Sequence, residues 1–319
     1  MKLRNAVVVL TGASSGIGRA AALQFADEGC KLVLAARDVA ALDEVVQQCN
    51  TRGGEAIAVP TNVDDDASVR ALRDQAVARF GTIDVWVNDA AHYVMGSVEE
   101  TPLEAYRRVL ETNFLGVVRG SQAALEVFRK KDRGVLINVG SVAGKSAYAL
   151  ASAYVASKHA LHAFTEALRQ ELVGTAIEAC IVAPGTVDTP LFQHAANYTG
   201  REIEAMKPIY APERVARAIV SCAKRPRREV LIGLAPRVFS LSQMLMPWLW
   251  ERMQPAAVAR DHLGSGPVAP TPGNFDAPTG PHEVHGGWKE RRSGGAKGAF
   301  LVGALALPLL IPLGRRLLS

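Results

Sequence analysis

The sequence predicts an α/β domain built on a doubly wound parallel sheet, and three observations carry that expectation. Short apolar runs alternate with longer helix-like stretches through roughly the first 235 residues. The runs are almost continuously apolar, as strands covered on both faces must be. A glycine-rich turn, Thr11-Gly12-Ala13-Ser14-Ser15-Gly16-Ile17-Gly18, follows the first run directly and opens the first helical stretch.

Each element has its own signal. Strands are expected at 5–10, 31–35, 56–60, 83–87, 134–139, 176–183 and 229–233, where runs such as Val7-Val8-Val9-Leu10 and Val135-Leu136-Ile137 recur. Helices are expected at 18–27, 40–50, 67–80, 103–130 and 151–173. In the second of these, Leu42, Val45, Val46 and Cys49 keep one apolar face at helical spacing. The domain so defined covers residues 1–235.

Beyond it the character changes. Residues 236–263 begin rich in Leu, Met and Trp and predict an apolar or amphipathic helix. Residues 264–297 open with a Gly/Pro/His-rich stretch without periodicity, which reads as a linker. Within 298–319, seventeen residues from Gly298 to Gly314 carry no charge. Lys289, Arg291, Arg292 and Lys297 precede them, and Arg315-Arg316 follow.

The net charge of +5 is unevenly placed: from Lys224 onward 13 Lys/Arg face 6 Asp/Glu. The basicity therefore belongs to the C-terminal region, which argues against a nucleic-acid-binding core. Cys30, Cys49, Cys180 and Cys222 are far apart and lack metal-ligand spacing, so neither a zinc site nor a disulfide framework is expected. The first apolar run is strand-length and ends in a glycine turn, unlike a signal peptide. The expected location is cytoplasmic, with peripheral or C-terminal anchoring at a membrane.

Glycines after a strand permit a tight turn and close backbone approach to a pyrophosphate, while the following helix N-terminus supplies amide donors. The spacing here is Gly-x-x-x-Gly-x-Gly. At the end of the second strand the first polar residue is Arg37, followed by Asp38. An arginine suits a 2′-phosphate, whereas an acid suits free ribose hydroxyls, so NADP(H) is favoured over NAD(H) and Asp38 keeps the second open.

Tyr154 and Lys158 lie four residues apart, on one face of a helix. A neighbouring ammonium favours the phenolate and lowers a tyrosine pKa from about 10. Such a tyrosine can exchange a proton with an alcohol oxygen.

These motifs resemble the short-chain dehydrogenase/reductase family over roughly residues 1–235, which implies a Rossmann-type fold. The resemblance is carried by Thr11–Gly18, by Asn88-Asp89-Ala90-Ala91, and by Asn113 in Thr112-Asn113-Phe114-Leu115-Gly116. It continues through Ser141 thirteen residues before Tyr154, through Lys158, and through Pro184-Gly185 with Val187 and Thr189. It implies that Tyr154 is the general acid or base, that Lys158 tunes it and holds the nicotinamide ribose, and that Ser141 hydrogen-bonds the substrate oxygen. Asn113 would hold a water between Lys158 and solvent.

It further implies cofactor contacts from Thr11, Gly12, Ser14, Ser15, Gly16, Ile17, Gly18, Arg37, Asn62, Val63, Asn88, Ala90, Pro184, Gly185, Val187 and Thr189. Three departures stand out. The family's usual Asn-Asn-Ala-Gly reads Asn88-Asp89-Ala90-Ala91, so an acid and an extra methyl enter the groove. Asn62-Val63 stands where Asp-Val is common.

After Pro184-Gly185, residues 186–212 are expected to form a lid holding Leu191, Phe192, His194, Tyr198, Met206, Ile209 and Tyr210. With His92, Tyr93, Val94, Met95 and Tyr148 they suggest a mostly apolar pocket, or simply packing of lid on core. The expected substrate is a small hydrophobic carbonyl or secondary alcohol. The rival readings are an NAD-dependent alcohol dehydrogenase and a cofactor-binding scaffold without turnover. The tail from 298 predicts membrane association, docking on the enzyme or a second subunit, or disorder. A homo-oligomer is expected by analogy with the family.

Overall fold

A computed structural model describes residues 1–233 and 243–291. The elements run β1 (Val7–Thr11), α1 (Gly16–Asp27), β2 (Lys31–Ala36), α2 (Val39–Thr51), β3 (Glu55–Pro60), α3 (Asp66–Phe80) and β4 (Val85–Asn88). Then come β5 (Val94–Met95), α4 (Leu103–Leu110), α5 (Gly116–Lys131), β6 (Arg133–Val139), α6 (Ser152–Glu171) and β7 (Ala176–Pro184). The chain continues through β8 (Ala196–Asn197), β9 (Arg201–Ile203), α7 (Pro212–Lys224) and β10 (Glu229–Ile232). Past the undescribed residues come α8 (Pro247–Asp261) and β11 (Leu263–Pro267).

Seven strands form one sheet in the order β10-β7-β6-β4-β1-β2-β3, all pairs parallel. The alternation of side chains along each strand divides the core in two. Val8, Leu10, Leu32 and Leu34 pack under α1, α2 and α7, whereas Val9, Val33 and Ala35 pack under α3, α5 and α6. Both faces are thus dry, as the continuous apolar runs require. The strand order reverses between β1 and β4, which opens a crevice at the C-terminal ends of those two strands. A doubly wound fold places its ligand there.

All seven expected strands form, with ends moved by a residue or two. The expected helix at 103–130 is interrupted: a π-turn at Glu111–Leu115 separates α4 from α5. α7 is an addition, with Pro212 starting it.

The expectation of a linker beginning at residue 264 is corrected by the packing. β11 pairs antiparallel with β9, Thr271 bridges Asn197, and Phe275 is buried among Val94, Ala105, Val109, Ala153 and Ala196. Trp288 is also buried. Low periodicity reflected chain without repeating structure, not chain without a packing partner. Residues 234–242 and the tail from 292 lie outside the described residues. Among those described, no helix is long and apolar enough to cross a membrane.

One polar chain braces the crevice from below. Trp86 donates its indole N–H to Asn88 Oδ1 at 2.8 Å, and Asn88 Nδ2 donates to Asn138 Oδ1 at 2.9 Å. Asn138 donates to Thr165 Oγ1 at 2.9 Å, which ties β4 and β6 to α6. All four side chains are buried, so each lost partner exposes the next to desolvation without compensation. Asn88→Ala should therefore lower unfolding free energy by about 1–3 kcal/mol in urea titrations. An unchanged midpoint and slope would show that the brace carries no stability.

Candidate active site

The glycine loop lies directly against the end of β4. Gly12 has φ of +73°, and a Cβ there would sit 2.8 Å from the Ala90 nitrogen. A Cβ on Gly18 would sit 2.1 Å from the Gly12 carbonyl oxygen. Neither position has room for a side chain, so both glycines follow from the close packing of loop on strand. Thr11 fastens the same junction: its hydroxyl accepts the Asp89 N–H at 3.2 Å and the Ala90 N–H at 3.4 Å. α1 starts at Gly16, and its N-cap residue Ser15 makes no side-chain cap bond. The first amide of the helix donates instead to the Glu283 carbonyl at 3.0 Å, so the terminus meets an acceptor from outside the helix.

At the end of β2, the Arg37 guanidinium donates to the carbonyls of Asn274 at 2.6 Å and Phe275 at 2.8 Å. Asp38 is differently engaged: its carboxylate accepts the Ala41 N–H at 3.0 Å as the N-cap of α2 and meets His282 at 3.1 Å. Asn62 is exposed and closes a local turn by accepting the Asp64 N–H at 3.1 Å. Val63 packs on Gly116. Asn88 turns its amide into the sheet rather than the crevice, so the structure places it as a brace. Pro184 ends β7, and Gly185 leads into Val187, which is buried and bridges Tyr210. The next two residues, Asp188 and Thr189, are buried as well.

Ser141, Tyr154 and Lys158 converge beyond β6. The Ser141 hydroxyl caps the following turn by accepting the Ala143 N–H at 3.1 Å and hydrogen-bonds the Tyr154 phenol. The Lys158 ammonium donates to the Val139 carbonyl at 3.0 Å and lies 5.7 Å from the centre of the Tyr154 ring. All three are nearly buried. Burial decides their protonation: it pushes the phenol up to about 12 and the ammonium down to about 8. The expected lowering of the Tyr154 pKa by Lys158 is not what the site shows: desolvation raises it, the Ser141 hydrogen bond lowers it less, and Asp89 raises it further.

Asn113 stands in the π-turn with no exposed surface. Its Oδ1 accepts the His92 N–H at 2.7 Å, while its Nδ2 donates to the His92 carbonyl at 2.9 Å and Ser157 Oγ at 3.1 Å. Both amide hydrogens are committed to protein, so its side chain acts as a clamp, with no donor left over for a water.

Facing Tyr154 is an aromatic wall. The Tyr93 ring lies 4.8 Å from it, and Phe192 lies 5.1 Å from Tyr93. His262, at the end of α8, was not legible as a site residue because it follows the expected catalytic domain. Its Nδ1 faces the Glu204 carbonyl and so carries the proton, leaving Nε2 to accept from the Tyr93 hydroxyl at 2.7 Å. Burial holds it neutral, down at about 4. Of the expected lid residues, Leu191 and Phe192 join this wall. His194, Tyr198 and Tyr210 do not: His194 stacks near His282, Tyr198 packs with Phe275, and Tyr210 sits under Arg214.

The chain matches the short chain dehydrogenase family over residues 6–199. It belongs to that family. It is 34% identical over 300 residues to an uncharacterized oxidoreductase, YxnA, of Bacillus subtilis (strain 168), covering 92% of this chain and 84% of that one. It is 31% identical over 268 residues to the dehydrogenase/reductase SDR family member 7B of Mus musculus, covering 81% and 83%. Among solved structures, an alcohol dehydrogenase of the archaeon Thermococcus sibiricus complexed with 5-hydroxy-NADP superimposes with a TM-score of 0.64. It shares 27% identity and covers 72% of this chain and 96% of that one. This short-chain dehydrogenase is thus an oxidoreductase of a family that uses nicotinamide cofactors. Its donor set fits such a group: a close glycine loop, the amides at the N-terminus of α1, and a guanidinium at the second strand end.

Asp89 is the acid where that family usually has asparagine. Its carboxyl accepts the Gly18 N–H, and burial raises it to about 7 despite the attraction of Lys158. A carboxyl so raised favours the protonated folded state. The stability it lends at acid pH is lost as pH climbs from about 4 through about 7. Asp89→Asn keeps an acceptor for Gly18 and removes the charge. Its melting temperature should exceed the wild type's by a few degrees at pH 8, with the gap closing by pH 5. A gap independent of pH would show that Asp89 stays ionised throughout.

Proposed function

We propose that this chain is an NADP(H)-dependent reductase of hydrophobic ketones or aldehydes, with Tyr154 as the general acid. The observation that carries the reading is the Tyr154 phenol, which burial keeps protonated at neutral pH, beside the Ser141 hydroxyl and facing an aromatic wall. A protonated phenol is the form that carbonyl reduction requires, since it can give its proton to the carbonyl oxygen.

A substrate carbonyl placed between Ser141 and Tyr154 takes a hydrogen bond from each. Ser141 stabilises the negative charge that develops on oxygen, and the Tyr154 O–H transfers its proton to that oxygen. A nicotinamide cofactor bound in its reduced form would supply the hydride for the carbonyl carbon. Lys158, pinned by the Val139 carbonyl, offsets the charge left on the phenolate until a proton returns. The glycine loop, the N-terminus of α1 and Thr189 would hold the pyrophosphate and nicotinamide portions. Arg37 would take the 2′-phosphate. Asp38, the residue that suited free ribose hydroxyls, is already the cap of α2, which supports NADP(H) over NAD(H).

Substrate class follows from how the wall satisfies its own polarity. Tyr93 donates to His262, whose other nitrogen faces Glu204, and the Tyr148 hydroxyl lies 3.4 Å from that of Tyr93. The wall then offers ring carbon to a substrate, along with Leu191 and Phe192. That suits an apolar carbonyl compound better than a sugar. Two further parts of the reading rest on the sequence pattern: membrane association through residues 298–314, and a homo-oligomeric state. Exposed Met244, Leu245, Trp248 and Met253 favour an apolar surface near that region of the sequence.

Purified chain should oxidise NADPH in the presence of apolar ketones or aldehydes, and Tyr154→Phe should lower kcat/KM by about 10²–10⁴-fold. Retained turnover in that variant would remove Tyr154 from the chemistry. Arg37→Ala should shift the NADPH-to-NADH ratio of dissociation constants by about tenfold or more toward NADH, the loss of a charge-assisted bond. An unmoved ratio would place the 2′-phosphate elsewhere.

A further inference from the structure

Residues 271–288 cross the C-terminal ends of the strands, over the groups assigned above to the dinucleotide. At the adenosine and pyrophosphate end, carbonyls of this segment lie on donors of the groove. Both terminal nitrogens of Arg37 donate to the carbonyls of Asn274 and Phe275. The Gly16 N–H, at the N-terminus of α1, donates to the Glu283 carbonyl at 3.0 Å. Arg19, on the first turn of α1, donates to the His282 carbonyl at 2.8 Å. At the nicotinamide end the direction reverses. The Trp288 backbone N–H donates to Asp188 Oδ1 at 2.7 Å and its indole N–H to the Thr189 carbonyl at 2.8 Å.

Two buried aromatic anchors, Phe275 and Trp288, end this stretch. Between them, Asp276 to Pro281 are exposed. Besides these anchors, the segment is held by a pair of backbone bonds between Thr271 and Asn197 and by Arg108 on the Phe275 carbonyl and the Asp276 carboxylate. His282 on Asp38, His285 on Asp188 and Glu213, and the groove contacts above add to the hold.

We propose that residues 271–288 form a strap that competes with the dinucleotide for the groove. The proposal rests on the cofactor reading above. A phosphate seeks the donors that the strap carbonyls hold, and the single Gly16 N–H cannot serve both acceptors at full strength. A charged phosphate makes the stronger bond with a guanidinium than a neutral carbonyl does, so the cofactor can displace the strap. Cofactor affinity is then scaled down to the fraction of molecules in which the strap is up, by the same factor for NADPH and NADH. No bond is made or broken covalently; the step is an exchange of acceptors.

The test uses the full chain. Hydrogen exchange read by mass spectrometry, with and without saturating NADPH, should show faster exchange on binding for the amides of Gly286 and Trp288, which are bonded to Asp188. In parallel, NADPH and NADH fluorescence titrations should give dissociation constants about tenfold lower in Phe275→Ala and Trp288→Ala than in wild type, equally for both cofactors. The exchange arm needs no variant, so a variant that folds poorly leaves the proposal exposed to failure. Slower or unchanged exchange on NADPH binding would overturn it, as would variants that bind both cofactors more weakly, because the strap would then be a clamp on bound cofactor. Binding of neither cofactor by wild type or variants would overturn the cofactor reading itself, and the strap with it.

Discussion

The site depends on one buried carboxamide. Asn113 holds both the N–H and the carbonyl of His92 and also reaches Ser157, whose hydroxyl donates to the Tyr154 carbonyl at 2.7 Å. A single side chain thereby fixes the segment after β4, which carries Tyr93, to the helix that carries Tyr154 and Lys158. A regular α-helix through residues 111–115 would direct that side chain differently, because each residue would be rotated by the missing extra residue of the turn. The π-turn is therefore part of the site: it trades regular helix geometry for the placement of one amide. A carboxylate at 113 would have no donor for the His92 carbonyl or Ser157, and an aliphatic residue would take the partner from both the N–H and the carbonyl of His92.

Within that frame, burial and charge oppose one another, and burial prevails at each titratable group of the centre. Tyr154 rises, Lys158 falls and Asp89 rises, all with desolvation as the largest cause. Asp89 and Lys158 attract each other, yet neither is returned to its ordinary value. An asparagine at 89 would give Lys158 no such support and would add no charge to the loop. The acid thus makes the ammonium slightly easier to keep while making the pyrophosphate end of the crevice less positive, an effect that opposes phosphate binding as its ionisation proceeds.

The parallel sheet was legible because it rests on local signals, and the convergence of Ser141, Tyr154 and Lys158 was legible through the family motif. Apolar runs of strand length announce a two-faced sheet, and a glycine turn after the first run locates its crevice. What depended on partners distant in sequence was not legible. Asn88 carries the right motif but spends its amide on Trp86 and Asn138, a choice visible only once β4, β6 and α6 are side by side. His262 carries no motif and reaches Tyr93 from 169 positions away. Whether Asn113 would hold water or protein could not be read from its type, since an amide serves either. The π-turn left no periodicity signal over five residues.

The stretch after residue 264 shows why composition misleads in one particular way. Gly, Pro and His without periodicity are expected of chain that has no repeating hydrogen-bond partner of its own. Such chain can still be ordered when another element supplies the partners. Here the partners are donors of the crevice: a guanidinium at the end of β2, an amide at the start of α1 and a further guanidinium one turn into that helix. An irregular backbone leaves its carbonyls free to meet scattered donors, which a helix or strand would have engaged internally. The same irregularity that hides the segment from a periodicity reading suits it to lie on a phosphate-type site. Because its contacts on the crevice donors are hydrogen bonds from neutral carbonyls, it can be ordered and still be exchanged for a ligand that offers the same donors a stronger acceptor.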